Sequence, residues 1–230
     1  MNEPRVSLFE LALVRITNVP VVLAGRVLDV LVLSLRPRLL RAWFALWLLE
    51  LTHSPYRWPR RSFETALRMA SKGRGQRELL YGELPVFSAL WLLRRNGLAR
   101  GGELLDIGAG RGRPLLAARV LGARARGLEL MATHVRLAAP LLARAGVELE
   151  QADALEAELG EPSHVLLNWC AFGEGTRARL SDRLAQLKPG TVLLAVTVPL
   201  DETRFPLVQR HRVLFTWGTE RVYVHRVPEG

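Results

Sequence analysis

The residues best suited to chemistry are one aspartate and three glycines in the run L-L-D-I-G-A-G-R-G-R-P at residues 104–114. Asp106 ends a short apolar stretch, and Gly108, Gly110 and Gly112 follow at alternate positions. Glycine lets the backbone turn sharply and approach a ligand closely, because no Cβ intervenes. An apolar strand, a glycine turn and a following helix are typical of a nucleotide-binding unit. The spacing differs from the G-x-G-x-x-G of dinucleotide sites, and it predicts a ligand with an adenosine and an amino-acid tail.

Three polar residues follow other predicted strands of the same sheet. Glu129 lies at the end of a strand over 125–130 and is predicted to accept hydrogen bonds from two ribose hydroxyls. The alternative is a solvated acid at a strand end. Asp153 follows a strand over 147–151 and is predicted to lie near the adenine amino edge. Asn168 ends the fourth strand, where the reactive part of a ligand is expected, because ligands bind at the carboxyl ends of parallel strands.

The elements that must position these residues alternate as strands and helices after residue 100. This pattern predicts an α/β fold, a Rossmann-like sheet with helices on both faces. The stretch 213–225 predicts an antiparallel hairpin that closes the sheet. Upstream, Tyr81-Gly82-Glu83 precedes an apolar helix over 86–95, where the chain can fold over a bound ligand.

Residues 5–53 are both apolar and basic, and they predict three helices over 8–14, 19–35 and 39–51. No membrane span is predicted, because the longest uncharged run in this region is ten residues and a span needs about 20. A proline-containing break at 53–61 predicts an N-terminal amphipathic helical extension over 1–61 and a second domain over 62–230.

Two interpretations of the N-terminal helices remain open. They can pack on the second domain as a lid, or they can lie in a membrane interface. In the second case Trp43, Phe44 and Trp47 would be buried in lipid and the arginines would bind phosphates. Amphipathic helices of either use have similar sequences.

The composition limits the remaining classes. Nearly half of the residues, 49%, are hydrophobic, which provides for a large core. Cys170 is the single cysteine, so no internal disulfide can form and no metal site is predicted. The net charge of +10 indicates either a solvated basic surface or an acidic partner, and no nucleic-acid-binding motif is present. We expect a cytoplasmic protein, with peripheral contact at an anionic inner membrane face as the alternative.

The residues 106–112 resemble motif I of the class I S-adenosylmethionine (SAM) methyltransferases, which have a Rossmann-like fold. Further segments between about residues 77 and 226 resemble the non-SET histone-lysine methyltransferase family, named for disruption of telomeric silencing. These segments are Tyr81-Gly82-Glu83, Gly127-Leu128-Glu129, Asn168-Trp169-Cys170-Ala171-Phe172, Thr216-Trp217 and Val222-Tyr223-Val224-His225. Trp169, Cys170 and Val222 depart from the family pattern at positions that help to line its lysine channel.

The resemblance implies SAM as the cofactor and methyl transfer to a protein lysine side chain. It implies that Asn168 positions the reacting groups and that Phe172, Trp217 and Tyr223 form the walls of the acceptor channel. The implied cofactor-binding residues are Tyr81, Glu83, Asp106, Gly108, Gly110, Gly112, Glu129, Asp153 and Asn168.

Other functions stay open at this point. The glycine loop and the hydrophobic N-terminus are also similar to lysine methyltransferases that act on a membrane rotor subunit of ATP synthase. A small-molecule methyltransferase would have the same cofactor site, with the N-terminal helices as its lid. A membrane-associated SAM-binding protein without activity is a third possibility, against which the presence of Glu83, Asp106, Glu129 and Asn168 argues.

Overall fold

The computed structural model describes residues 8–53, 83–169, 172–216 and 218–229. Within these ranges the chain forms helices and a single seven-stranded sheet. The helices are α1 (Leu8–Leu33), α2 (Pro37–His53), α3 (Val86–Arg95), α4 (Arg113–Val120), α5 (Ala132–Ala143) and α6 (Glu174–Leu184). The strands are β1 (Glu103–Ile107), β2 (Arg124–Glu129), β3 (Glu148–Gln151), β4 (His164–Leu167), β5 (Val192–Val196), β6 (Leu207–Phe215) and β7 (Gly218–Arg226).

The strand order is β3-β2-β1-β4-β5-β7-β6. The first five strands in this order are parallel, and β7 runs antiparallel to both β5 and β6. The predicted α/β fold with helices on both faces is therefore confirmed. The carboxyl ends of β1, β2 and β4 meet at one edge of the sheet, where the predicted site residues follow them.

Two hydrophobic cores cover the two faces of the sheet. Leu104 and Leu166 point into the first core, which contains residues of α3, α4 and α5. Leu105 and Leu167 point into the second core, which contains residues of α6. Because both faces are covered, β1 and β4 are almost continuously apolar, as parallel strands usually are.

The closing hairpin is longer than the sequence indicates. β6 begins at Leu207 rather than Val213, and its first four residues are largely exposed. β6 is the last strand in the sheet order. An exposed edge strand needs no alternation of apolar residues, so its first half gave no sequence signal.

The N-terminal helices differ in number from the prediction. The predicted helices over 8–14 and 19–35 form one helix, α1, which continues through Pro20. α1 packs on α3, and α2 packs on α4 and α5. In the described residues no helix is both long and apolar enough to cross a membrane. The predicted domain boundary near residue 61 lies outside the described residues.

Candidate cofactor-binding site

The glycine loop leaves the carboxyl end of β1 and turns over the end of β2. Gly108, Gly110 and Gly112 have φ angles of +77°, +55° and +74°, in the left-handed region that favours glycine. The N–H groups of Gly108 and Ala109 donate to the carbonyl oxygen of Leu128 at 2.9 and 3.1 Å. The loop is thereby fixed to the strand that carries Glu129.

Gly108 is the point at which the ends of β1 and β4 meet. A Cβ on Gly108 would lie 3.2 Å from the Asn168 carbonyl oxygen and 3.8 Å from Cζ of Phe172. The N–H of Asn168 donates to the Ile107 carbonyl oxygen at 3.3 Å. The structure therefore brings two predicted site residues, Asn168 and Phe172, against the loop.

Glu129 is buried at the end of β2, and its carboxylate holds the loop. Oε2 accepts a hydrogen bond of 2.7 Å from the N–H of Gly110, and Oε1 accepts one of 2.8 Å from the N–H of Met131. Charge-assisted hydrogen bonds of this kind are short and strong. Glu129 lies where the sequence places it, and its role towards a ribose stays a prediction.

Asp106 provides the clearest sign that the site receives a ligand. Its side chain is 1% exposed, and Oδ2 has no hydrogen-bond partner among the described residues. Burial, together with the nearby charge of Glu129, raises the pKa of Asp106 to about 8. A buried polar atom without a partner is costly, so Oδ2 fits a ligand that brings a donor or a positive charge.

Glu83 is linked to the glycine loop by Arg113, the first residue of α4. The Glu83 carboxylate forms an ion pair with Nε of Arg113. Its backbone also pairs with the β6–β7 turn: the N–H of Glu83 donates to Oγ1 of Thr216, and the N–H of Thr216 donates to the Glu83 carbonyl oxygen, both at 3.1 Å. Two segments that support the family resemblance are therefore in contact.

The same guanidinium links the loop to α2. Nε of Arg113 donates to Oε1 of Glu50 at 3.0 Å, and Nη2 contacts the same oxygen. Arg26 of α1 pairs with the other oxygen of Glu50 at 2.6 Å. Both guanidinium groups lie near the indole of Trp43, at 5.8 Å from the ring centre for Arg26 and 5.7 Å for Arg113.

Asp29 completes the contact of α1 with this cluster and with α3. Its carboxylate accepts hydrogen bonds from Nε1 of Trp43 at 2.9 Å and from the N–H of Phe87 at 2.8 Å. The side chains of Asp29, Trp43 and Arg113 are all almost completely buried. We call Arg26, Asp29, Trp43, Glu50, Glu83 and Arg113 the buried ion cluster.

The pKa values of groups in the buried ion cluster are shifted by burial and by the neighbouring charges. Burial and the adjacent Glu83 carboxylate raise the pKa of Glu50 to about 7, and Arg113 opposes the shift. Burial alone would lower the pKa of Arg113, but Glu83 and Glu50 hold it above its ordinary value. Arg113 therefore stays charged and, together with Arg26, offsets the negative charge of the two acids.

The sequence does not predict this cluster, although it contains one signal of it. Arg113 begins a helix, where a positive charge is unfavourable because the helix dipole is positive at that end. Such an arginine needs carboxylate partners. Nothing in the sequence indicates that Glu50, 63 positions away, is one of them.

The other predicted residues make contacts elsewhere in the structure or lie outside the described residues. Asp153 follows β3, and its carboxylate accepts a hydrogen bond of 2.9 Å from the N–H of Leu155, which closes a local turn. Tyr223 lies on β7 opposite Ala195, with the guanidinium of Arg210 5.8 Å from its ring. Tyr81 and Trp217 lie outside the described residues.

Two departures from the family pattern are core residues and not channel walls. Trp169 is buried in the second core, where Nε1 donates to the Val198 carbonyl oxygen at 2.8 Å. Val222 is fully buried in the first core, opposite Val196. Core packing therefore explains the identity of these two residues. The backbone of Asn168, by contrast, lies at the predicted position between β4 and the glycine loop.

Two residues near this edge of the sheet were not predicted. His134 on α5 is buried, which lowers its pKa, while the charge of Glu129 acts in the opposite direction. Thr197, directly after β5, has a φ of +64°. That angle is rare for a β-branched residue, and such strain concentrates at functional sites.

The comparisons with known proteins agree with this geometry. The sequence matches no protein-family model and no curated protein significantly. An RNA methyltransferase from Salinibacter ruber, crystallised with S-adenosyl-L-homocysteine, has 28% identity and a TM-score of 0.51 over 62% of this chain and 91% of that chain. TrmN from Thermus thermophilus has 23% identity and a TM-score of 0.53 over 65% of this chain and 51% of that chain. PH1948 from Pyrococcus horikoshii has 15% identity and a TM-score of 0.52 over 74% of this chain and 98% of that chain.

The strand order, the glycine loop and its buried acids, together with these similarities, define the chain as a SAM-dependent methyltransferase of the Rossmann-like class. Its cofactor is S-adenosyl-L-methionine, as the sequence predicts, and the unpartnered Oδ2 of Asp106 fits that cationic ligand. The similarities support the class and not the specific non-SET histone-lysine family.

Proposed function

We propose that this methyltransferase acts on an amine nitrogen of a protein lysine side chain. The observation that supports the proposal is that the Asn168 carbonyl oxygen and the Phe172 ring both lie within 4 Å of the position that a Cβ on Gly108 would take. In this architecture the reactive end of the ligand lies beside the carboxyl ends of the central strands. A polar segment and an aromatic ring therefore lie together where the acceptor must enter.

The amine must be neutral to act as a nucleophile, and an apolar passage favours the neutral form. Desolvation lowers the pKa of a lysine because it disfavours the charged form. Phe172 packs against the second core and presents an aromatic surface at the loop. Tyr223 packs against the same core, on β7. We assign these two rings to the acceptor passage. We also assign Trp217 to it, on the basis of the sequence alone.

The cofactor supplies an electrophilic methyl group, and the chain supplies position and charge. Asp106 and Glu129 present buried carboxyl groups to the ligand, and the glycine loop permits close approach of the backbone. Arg113 holds the Glu83 carboxylate in place at the side of the loop. Accurate positioning of two reacting groups can contribute about 7–11 kcal/mol to lowering the barrier.

A second candidate is a methyltransferase with an RNA or small-molecule acceptor. Its specific support is the similarity to the RNA methyltransferase from Salinibacter ruber at 28% identity. The net charge of +10 is also compatible with an RNA acceptor. The cofactor-binding residues would have the same roles in either case.

One labelling experiment separates these candidates. The purified protein is incubated with methyl-labelled SAM and a cell lysate, which is then divided into protein, RNA and small-molecule fractions. Label in protease-sensitive material, recovered as methyl-lysine after hydrolysis, supports the lysine proposal. Label in RNase-sensitive or extractable small-molecule material overturns it in favour of the second candidate. The Asp106→Asn variant is the control for background transfer.

A further inference from the structure

The outer side of the N-terminal helices is an exposed apolar surface, which we call the outer face. Eleven large hydrophobic side chains are exposed in the described residues, and nine of them belong to α1, α2 or the turn between them. The nine residues are Leu23, Val27, Leu28, Leu31, Leu35, Phe44, Trp47, Leu48 and Leu51. The other two, Trp91 and Val208, lie on α3 and β6.

The spacing of these residues places them on one side of each helix. Leu23, Val27 and Leu31 follow one another at intervals of four in α1, so their side chains form a row. In α2, Phe44 precedes Trp47 by three and Leu48 by four. The rings of Phe44 and Trp47 are in edge contact, with centroids 6.4 Å apart.

The opposite sides of the same helices pack against the rest of the protein. Leu33 and Leu46 are completely buried in the first core. Asp29, Trp43 and Glu50 point into the buried ion cluster. α1 and α2 pack on each other and on α3, α4 and α5, so both outer rows face away from the sheet.

The charges are divided between the two sides in the same way. Asp29 and Glu50 are the two acids between residues 20 and 53, and both point inward. Arg36, Arg38 and Arg41, in the turn and the first part of α2, are all exposed. Between residues 20 and 53 the outer face therefore combines apolar side chains with positive charge and has no acidic residue.

We propose that the outer face docks peripherally on an anionic membrane. A lipid interface satisfies both features at once, because acyl chains receive the apolar rows and lipid phosphates receive the arginines. Trp47 and Phe44 are of the types that favour the interfacial region. A second copy of the chain would bring three further arginines to the interface and no acid to neutralise them.

The structure also corrects which aromatic residues face outward. The membrane interpretation of the sequence included Trp43, which is 2% exposed and has Arg26 and Arg113 within 6 Å of its ring centre. Phe44 and Trp47 are 44% and 37% exposed. The outer face thus contains two of the three aromatic residues that the sequence interpretation named. It also contains the exposed rows of leucine residues on both helices.

Vesicle cosedimentation of the whole 230-residue chain tests the proposal. Vesicles of phosphatidylcholine alone are compared with vesicles that also contain phosphatidylglycerol, at increasing salt. The Trp47→Ser/Leu48→Ser variant removes apolar contact, and the Arg36→Glu/Arg41→Glu variant reverses the charge. Val208→Ser and Arg212→Glu are matched controls, because both residues are exposed on β6. Thermal unfolding in solution verifies that all variants are folded.

We expect binding to the anionic vesicles that weakens with salt and falls roughly tenfold or more in each outer-face variant. The two β6 controls should bind like the unmodified protein. Absence of binding to anionic vesicles, or equal loss in the β6 controls, would overturn the proposal. So would a concentration-dependent dimer that the outer-face variants abolish without any vesicle binding, because it would assign the surface to a second copy.

Discussion

Glu129 accepts a hydrogen bond of 2.7 Å from the N–H of Gly110, so the acid at the end of β2 holds the middle of the glycine loop. The second carboxylate oxygen accepts the N–H of Met131, at the start of α5. One side chain thereby connects a strand, a loop and a helix at the cofactor site. Two backbone N–H donors therefore fix the position of this carboxylate before a ribose binds to it.

Glu129→Ala should weaken SAM binding by a factor of at least ten. The substitution removes charge-assisted hydrogen bonds, each worth about 1.5–3 kcal/mol, and releases the loop at Gly110. Titration calorimetry on the folded variant measures the change. Glu148→Ala is the matched control, because Glu148 is exposed on the neighbouring strand β3. Unchanged affinity in Glu129→Ala would remove this acid from the cofactor site.

Gly127→Ala should destabilise the protein by about 1–3 kcal/mol, the usual effect of overpacking. A Cβ at this position would lie 2.7 Å from Cβ of Ala109 and 2.8 Å from Cδ1 of Leu115. Neither β2 nor the glycine loop can move away easily, because the Leu128 carbonyl joins them. Urea unfolding gives the free energy, with Gly175→Ala as a control in open space. Equal stability of the two variants would contradict this packing.

The pKa of Asp106 predicts a pH dependence of stability. Burial raises it from 3.8 to about 8, so between these values the folded state binds more protons than the unfolded state. The free energy of unfolding should therefore fall as pH rises from about 4 to about 8, by at most about 1.4 kcal/mol per pH unit from this group. Asp106→Asn should remove that contribution. Denaturant unfolding across this interval measures the difference between the two proteins, and parallel curves would argue against a raised pKa.

Asn168→Ala should lose most methyl-transfer activity, about 100-fold or more, while its melting temperature changes little. Misplacement at the reacting centre has effects of this size, and the residue lies between β4 and Gly108. Turnover of SAM with the acceptor fraction found by labelling is the measurement. A joint fall of activity and melting temperature, restored by a stabilising solution, would indicate a structural role. Full activity in the folded variant would exclude Asn168 from the site.

Arg113→Leu should destabilise the fold by about 3–5 kcal/mol, because it leaves Glu50 and Glu83 buried without their shared cation. The further change Glu50→Leu in the same protein should recover part of that loss, since it removes one uncompensated carboxylate. A double-mutant cycle measured by chemical unfolding gives the coupling between the two positions. Additive effects would mean that Glu50 and Arg113 do not interact in solution.

The sequence by itself determined the elements whose signals are local. The run at 104–114 predicts a strand, a glycine loop and a helix, because left-handed φ angles require glycine wherever the chain turns this way. Glu129 and Asn168 lie at strand ends, as predicted, because apolar runs mark buried parallel strands. The α/β fold and the SAM cofactor follow from these local patterns.

Only the tertiary structure decided which charges pair and which side of each helix is buried. Glu50 and Arg113 are 63 positions apart, and no local pattern connects them. Trp43 and Trp47 lie in the same apolar stretch of α2, yet Trp43 is buried as part of the buried ion cluster and Trp47 is exposed. The physical reason is that helical periodicity shows which residues share a face of a helix. It does not show which other element packs against that face. The partner of each face depends on packing between elements that are distant in sequence, and that packing also sets the burial that shifts the pKa values of Asp106 and Glu50.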